Sequence, residues 1–476
     1  MGHGHPHDEL DALTIPTAQA LMDAGRLTST SLTAAYLTRV EAVDPAVQAV
    51  LALDPDAERA AAASDTRRRS GDVIGPLDGV PVLVKDNIAT RGLGATAGSK
   101  ALLGSRPAEA ELSRRLRGAG AVIIGKANLS EWANFRGSPS TSGWSALGGQ
   151  THNPHVLDRS PCGSSSGSGA GVAAALAQVA IGTETDGSIV CPAGQCGVVG
   201  LKPTVGLVPG RGIVPISSQQ DTAGPMTRHV VDAALALAVL SGRAPAALDA
   251  DALRGSRIGV WRPASSAGDV DRVTEAAVAV LRDAGALPVE VTPPGVDELE
   301  AHEWAALLAE FKRDIETWLR ETPGDHPRTL AGLISFNTND PDELRGFGQE
   351  IFEQAEASPP ADSPASAAHR ERARHLSRTA IDRVLAQYDL RAIMAPTNGP
   401  AWPLDGGDTV DVSSSGPAAA SGYPNITVPA GFVGPLPVGM SFMGTAGTDD
   451  DLLSLASAFE RHSSARRPPA FLPTHP

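Results

Sequence analysis

Two serines and one lysine are the residues through which this chain could do chemistry. Ser164 stands in the run CGSSSGSG (162–169), and Ser188 ends the run GTETDGS (182–188). A serine hydroxyl is a weak nucleophile and needs a base within reach. Glycine before each serine, at Gly163 and Gly187, lets the backbone take conformations closed to other residues. Main-chain N–H groups around such a turn can hold an oxyanion. The candidate base is Lys85, inside the apolar run VPVLVKDNI (80–88). Lysine occurs at only five positions (85, 100, 126, 202 and 312) among 39 basic residues. Only lysine can shed its proton when buried, because arginine stays charged, and desolvation favours the neutral amine. Each feature alone has an ordinary reading. Gly/Ser runs are most often connectors, and a lysine at a strand end can snorkel to water. A phosphate-binding loop is disfavoured, because no Gly-Lys-Ser/Thr follows.

The elements that must position these residues can be read around them. Residues 170–180 are Ala-rich without proline and predict a helix between the two serine turns. Residues 80–84 and 122–124 read as strands, with helices over 108–118 and 128–134. Alternation of this kind predicts an α/β fold. The first 70 residues read as helical: 31–44, closing on Asp-Pro, and 56–69, whose basic end Arg67–Arg69 reads as solvated. Residues 258–261 predict a strand and 273–284 an amphipathic helix, in a region from 243 to 375 whose pattern is otherwise loose. The Pro/Ala/Ser run 358–368 reads as a mobile surface loop. Short strands at 393–395, 426–428 and 438–442 precede a helix over 449–462, acidic at its N-terminus as the helix dipole favours.

Longer motifs carry a resemblance. LDGVPVLVKDN (77–87), GAVIIGKANLSEWA (120–133), GTETDGSIVCPAG (182–194), GVVGLKPTVGLVPGRGIVPIS (197–217), DTAGPMTRHVVDAALAL (221–237) and GYPNITVPAGFVGPLPVGMSFMG (422–444) resemble the amidase signature family across nearly the whole chain. SEWANFRG, GWSALGGQTHNP, the Glu310–Phe311–Lys312 segment, and LISFN followed by FGQE are most similar to its peptide amidase branch. The resemblance implies an α/β fold with one large mixed β-sheet covered by helices on both faces. It implies one compact domain: an N-terminal helical segment (1–70) packed on an amidase domain (71–476), with a signature core near 77–240 and a variable region near 243–375. It also implies a Ser–cis-Ser–Lys triad. Ser188 would be nucleophile, Ser164 proton relay through an unusual cis peptide bond, and Lys85 the final base. The backbone of Thr185, Asp186, Gly187 and Ser188 would form the oxyanion hole, with no metal or organic cofactor.

The activity so implied is hydrolysis of a peptide's C-terminal carboxamide through an acyl-enzyme. Alternatives are a general amidase on aryl, fatty or small aliphatic amides, or a glutamine-dependent amidotransferase subunit with a tight partner. Two departures stand out. Asp186 replaces a common glycine, which requires its side chain to face away. Val190 and Cys191 stand where the family often has arginine, which removes a carboxylate anchor.

Composition bounds the rest. A net charge of −15 and a pI near 5.2 argue against nucleic acid or an anionic membrane as partner. The longest apolar runs are too short to span a bilayer. The N-terminus lacks an apolar signal core, so a cytoplasmic monomer or homodimer is expected. His3, His5 and His7 read as a tail. An odd, small set of cysteines (162, 191 and 196) argues against a disulfide framework. Cys191 and Cys196 are expected to pack as small apolar residues. His152 and His155 have only loose zinc spacing with them.

Overall fold

The apolar runs become the strands of one sheet. A computed structural model describes residues 10–263 and 268–475, so the histidines at 3, 5 and 7 lie outside the described residues. In chain order the strands are β1 (Val50–Leu53), β2 (Pro81–Lys85), β3 (Val122–Ala127), β4 (Trp144–Ser145), β5 (Gly149–Gln150), β6 (Val179–Glu184), β7 (Val199–Lys202), β8 (Thr222–Thr227), β9 (Arg257–Trp261), β10 (Leu287–Val291), β11 (Ala392–Pro396), β12 (Asn425–Val433) and β13 (Leu436–Met443). Eleven of them form one sheet in the order β1-β3-β2-β6-β8-β7-β12-β13-β11-β9-β10, while β4 and β5 pair separately. Strand β2 runs parallel to β3 and β6, and β9 runs parallel to β10 and β11. The remaining neighbours are antiparallel. Helices cover both faces, which is why β2, β3 and β6 are buried along their whole length.

Alternation along β2 decides where Lys85 goes. Val82 and Val84 join the larger core, with helices such as Val230–Ser241 and Asp449–Ser463. Leu83 joins the opposite core, with Ser29–Val47 and Ser166–Ala173. Lys85 is two residues beyond Leu83 and shares its face.

Several expectations are corrected. The helix predicted over 170–180 is Ser166–Ala173, and residues 179 and 180 begin β6. Ala175 turns left-handed at φ 55°, and the Val-Ala-Ile run then fills the gap between β2 and β8, so sheet packing overrides alanine's helix preference. The predicted helix 128–134 is only the 3-10 turn Glu131–Asn134, bent by positive φ at Trp132 and Ala133. The early helix runs Ser29–Val47, through Pro45, and β1 interrupts the helical N-terminus. The Arg67–Arg69 end is not simply solvated: Arg67 pairs with Asp78 at 2.5 Å, and Arg68 binds Asp23 and Gln19. The expected 358–368 loop is short, because Ser363 caps and Pro364 opens the long helix Pro364–Tyr388. The loose region holds a second long helix, Val296–Glu321.

Arg228 ties the N-terminal segment to the core. It is fully buried and donates to the carbonyls of Leu10, Asp11, Val172 and Ala177, to the Tyr36 hydroxyl and to Gln178 Oε1. Arg228→Met strands those acceptors and is expected to destabilise by about 3–5 kcal/mol. The measurement is the urea midpoint at unchanged slope. A loss under about 1 kcal/mol would refute the tie.

Candidate active site

Parallel pairing brings the candidate residues to one edge of the sheet. Lys85 ends β2 and Glu184 ends the neighbouring β6, with Val84 opposite Ile181. The turn carrying Ser188 therefore starts beside Lys85, at the carboxyl ends of parallel strands where α/β sheets place their ligands. Ser164 lies in the loop before the helix Ser166–Ala173, on the Lys85 side. The Gly163–Ser164 peptide bond is cis. A Cβ at Gly163 would collide with the Ser130 hydroxyl and Asn134 Oδ1, so any larger residue would have to displace those side chains.

Lys85 is fully buried. Its Nζ lies 2.7 Å from Ser164 Oγ, 3.0 Å from Ser165 Oγ, and 2.9 and 3.3 Å from the Thr183 hydroxyl and carbonyl oxygens. Burial depresses its pKa to about 7, against the upward pull of Asp221 and Glu184. Lys126 and Lys202 are buried too. Lys126 reaches the carbonyls of Ile88 and Gly94 and the Asp86 carboxylate, and Lys202 reaches the Pro203 carbonyl. Burial alone does not single out Lys85; its ring of hydroxyls does.

Ser188 is 8% exposed and lines a cavity of about 340 Å³, together with Gly163, Thr185, Asp186 and Gly187. Gly187 turns at φ +73°, and a Cβ there would meet Ser415 Oγ at 3.2 Å. The two serine loops touch, since Ser165 N–H donates to the Ser188 carbonyl at 3.1 Å. Lys85 and Ser164 are in direct contact, whereas among the described residues no hydrogen bond joins the Ser188 hydroxyl to Ser164. The Glu184 carboxylate accepts from Ile189 and Val190 N–H at 2.7 and 3.0 Å. Those two donors are occupied, which leaves the N-terminal side of the turn to face the cavity. Thr185 is held from behind: its hydroxyl donates to Asp221 at 2.6 Å, and Gln220 Nε2 donates to its carbonyl at 3.3 Å.

Two expectations fail here. Asp186 does not turn out of the cavity: it is exposed in the wall, with its carboxylate engaged by the Ser415 hydroxyl, which leaves only its main chain as a candidate oxyanion donor. Cys191 does not pack as a free apolar residue but forms a disulfide with Cys162, their Cα atoms 6.0 Å apart. Folding brings the loop before Ser164 against the turn after Ser188, a proximity that cysteine counting cannot see. Cys196 is free and buried. His152 and His155 bond the carbonyls of Leu157 and Cys196.

Sequence reasoning also missed one wall of the cavity. Glu300, Glu303, Trp304 and Leu307 line it from the helix Val296–Glu321. Their spacing of three, four and seven residues is a single helical stripe, and that periodicity was the available signal. Glu303 accepts from Gln220 Nε2 at 2.6 Å. Arg370 donates to Gln220 and, at 2.7 and 2.6 Å, to both oxygens of Glu310. A buried chain thus links the two long helices to Thr185.

Known proteins share this architecture. The family model described as Amidase matches residues 31–453. A probable amidase of Arabidopsis thaliana is 37% identical, over 96% of this chain and 91% of its own. A glutamyl-tRNA(Gln) amidotransferase subunit of Chloroflexus aurantiacus is 36% identical, over 95% and 97%. The native peptide amidase structure of Stenotrophomonas maltophilia superposes with a TM-score of 0.92 at 48% identity, covering 97% of this chain and 99% of that one. A peptide amidase in complex with the competitive inhibitor chymostatin gives 0.93 at 48%, covering 96% and 99%. The family match over most of the chain and these similarities together show that the chain belongs to the amidase signature family of amide hydrolases.

Proposed function

We propose that the enzyme hydrolyses the C-terminal carboxamide of peptides to the free acid and ammonia. The observation that carries this reading is the buried Lys85 Nζ, 2.7 Å from Ser164 Oγ and poised near pKa 7, beside the cavity that Ser188 lines. Ser188 Oγ attacks the carboxamide carbon. Its proton passes to Ser164, whose own proton moves to neutral Lys85. Hydrogen bonds of this kind often align only when substrate is bound, so the Ser188 hydroxyl turns toward Ser164 in the complex. Main-chain N–H groups of Thr185, Asp186, Gly187 and Ser188 hold the oxyanion. Collapse breaks the C–N bond, and the proton returns through Ser164 to the departing ammonia. Water then attacks the acyl-Ser188 ester by the same relay, releasing the acid and restoring the serine. Every proton in this sequence is carried by Ser188, Ser164 or Lys85, so no metal or organic cofactor is called on.

The wall of the cavity supports a neutral amide over an acid. Among the described residues no lysine or arginine lines it, so a substrate's free carboxylate would meet carboxyl groups and no cation there. The likeness to amidotransferase subunits supports a second reading, transfer of ammonia to a partner protein. Hydrolysis alone asks for no partner, and a monomer or homodimer of one compact domain suffices for it. No helix among the described residues is long and apolar enough to cross a membrane. Disulfides persist in oxidising compartments, so the Cys162–Cys191 bond weighs against the cytoplasmic location expected from the sequence.

A competition assay tests the proposal. An amidated dipeptide and malonamate are mixed at equal concentration with the enzyme alone, and ammonia and free-acid peptide are followed together. Ammonia is expected to come from the dipeptide, with internal peptide bonds intact. Preference for malonamate, or internal cleavage, would leave only a general amidase. Turnover that needs an added protein partner would favour the transferase.

A further inference from the structure

The cavity at Ser188 has a one-sided polar wall. Asp186, Glu300, Glu303 and Asp408 line it, and among the described residues no lysine or arginine does. Asp408 is already engaged, accepting from the Ser140 and Ser142 hydroxyls at 2.6 and 2.9 Å and from the Trp402 indole at 3.2 Å. Among the described residues no cation forms an ion pair with Asp186, Glu300 or Glu303. Glu303 is buried, while Glu300 is exposed one turn earlier on the same helix stripe.

A different kind of group asks for the same ligand chemistry. Asn398 is 4% exposed and lines the cavity. Its Nδ2 donates to the Val412 carbonyl at 3.1 Å, but its Oδ1 is buried without a partner. Asn134, also in the cavity wall, leaves a buried Oδ1 unmet as well. An unmet buried acceptor costs about 1–3 kcal/mol, so both oxygens call for donors. The residues of the cavity wall therefore carry carboxyl groups and unmet amide oxygens, and among the described residues no lysine or arginine. Trp304, on the Glu300–Glu303 stripe, adds an aromatic face of the sort that attracts cations.

We propose that the acyl side of the substrate carries a cation seated among Asp186, Glu300 and Glu303, so that cationic peptide amides are the preferred substrates. This rests on the carboxamide hydrolysis reading above. The same chemistry has two sources, a free α-ammonium or the side chain of an arginine or lysine. Burial first, and then the Asp186 charge, push the Glu303 carboxyl well above its ordinary range and favour its neutral form; a cation seated beside it would draw out the carboxylate.

Two substrate pairs distinguish the sources. One pair is a dipeptide amide with its amino group free or acetylated. The other is an acetylated dipeptide amide with arginine, or its neutral isostere citrulline, at the first position. At least one pair is expected to favour the cation by about tenfold in kcat/KM, the factor that about 1.4 kcal/mol supplies. Each pair is repeated with Glu300→Gln, a conservative change at an exposed helical site, and with Glu303→Gln. The readout is the cation-to-neutral ratio within each variant, expected to fall below about threefold as the charge contact is lost. Calorimetric titration of Ser188→Ala with the same pairs reads the preference without turnover, so absence of hydrolysis and absence of charge preference are separate results. Ratios within about twofold of unity in both pairs, in turnover and in binding, would overturn the proposal. So would a preference of about tenfold that survives both glutamine variants.

Discussion

Ser188→Ala is expected to fold as the parent does and to lose at least about four orders of magnitude in kcat, as removal of a nucleophile from a concerted set does. The side chain is small, 8% exposed at the cavity wall, and contributes nothing to the two cores. The Ser188 carbonyl, which receives the Ser165 N–H, remains. Circular dichroism and the thermal midpoint should therefore be unchanged while ammonia release disappears. A fluorophosphonate probe should label Ser188 and no other serine, as read by peptide mapping. Ser164 contacts the base rather than standing alone at the cavity, so labelling mapped to Ser164 or Ser166 would exchange the roles assigned here.

Lys85→Arg is expected to cost roughly 10²–10⁴-fold in kcat/KM, the range general-base catalysis supplies. Arginine keeps the positive charge but cannot become a neutral base. It also needs room that the hydroxyls of Ser164, Ser165 and Thr183 already fill around Nζ. Lys85→Met, which keeps the length without a charge, controls for packing and should be equally inactive. The pH profile carries the sign. Only the unprotonated amine can accept a proton, and burial has lowered the Lys85 pKa to about 7. The free enzyme's kcat/KM should rise through pH 7 and fall as acid protonates the amine. An arginine variant with near-parent turnover, or a profile that stays flat for about one pH unit on either side of that pKa, would refute the base assignment.

How much of this is legible in the chain itself depends on the range of the interaction. Strands β2, β3, β9, β11 and β13 can be read to within a few residues, because strands covered on both faces must be continuously apolar. The helices at Asp269–Asp283 and Asp449–Ser463 are equally plain, since periodicity is local. Residues 170–180 mislead because alanine's helix preference is weak, and a vacancy between two strands outweighs it. The long helices Val296–Glu321 and Pro364–Tyr388 hide among loops that read as breaks, though the Ser363–Pro364 cap is a valid local signal.

The sequence by itself named three candidate groups, Lys85, Ser164 and Ser188, because the motifs around them resemble one family; residue type alone leaves Lys126 and Lys202 in apolar strands as well. It also determined the family, through motifs spread over the whole length. Tertiary structure alone decided that Lys85, and not the equally buried Lys126 or Lys202, meets serine hydroxyls. It alone decided that Cys162 and Cys191 lie 6.0 Å apart, and that Asp186 faces the cavity with Glu300 and Glu303. These are contacts between residues far apart in the chain, fixed by strand register and helix docking. No local propensity encodes which side chain a distant one will meet.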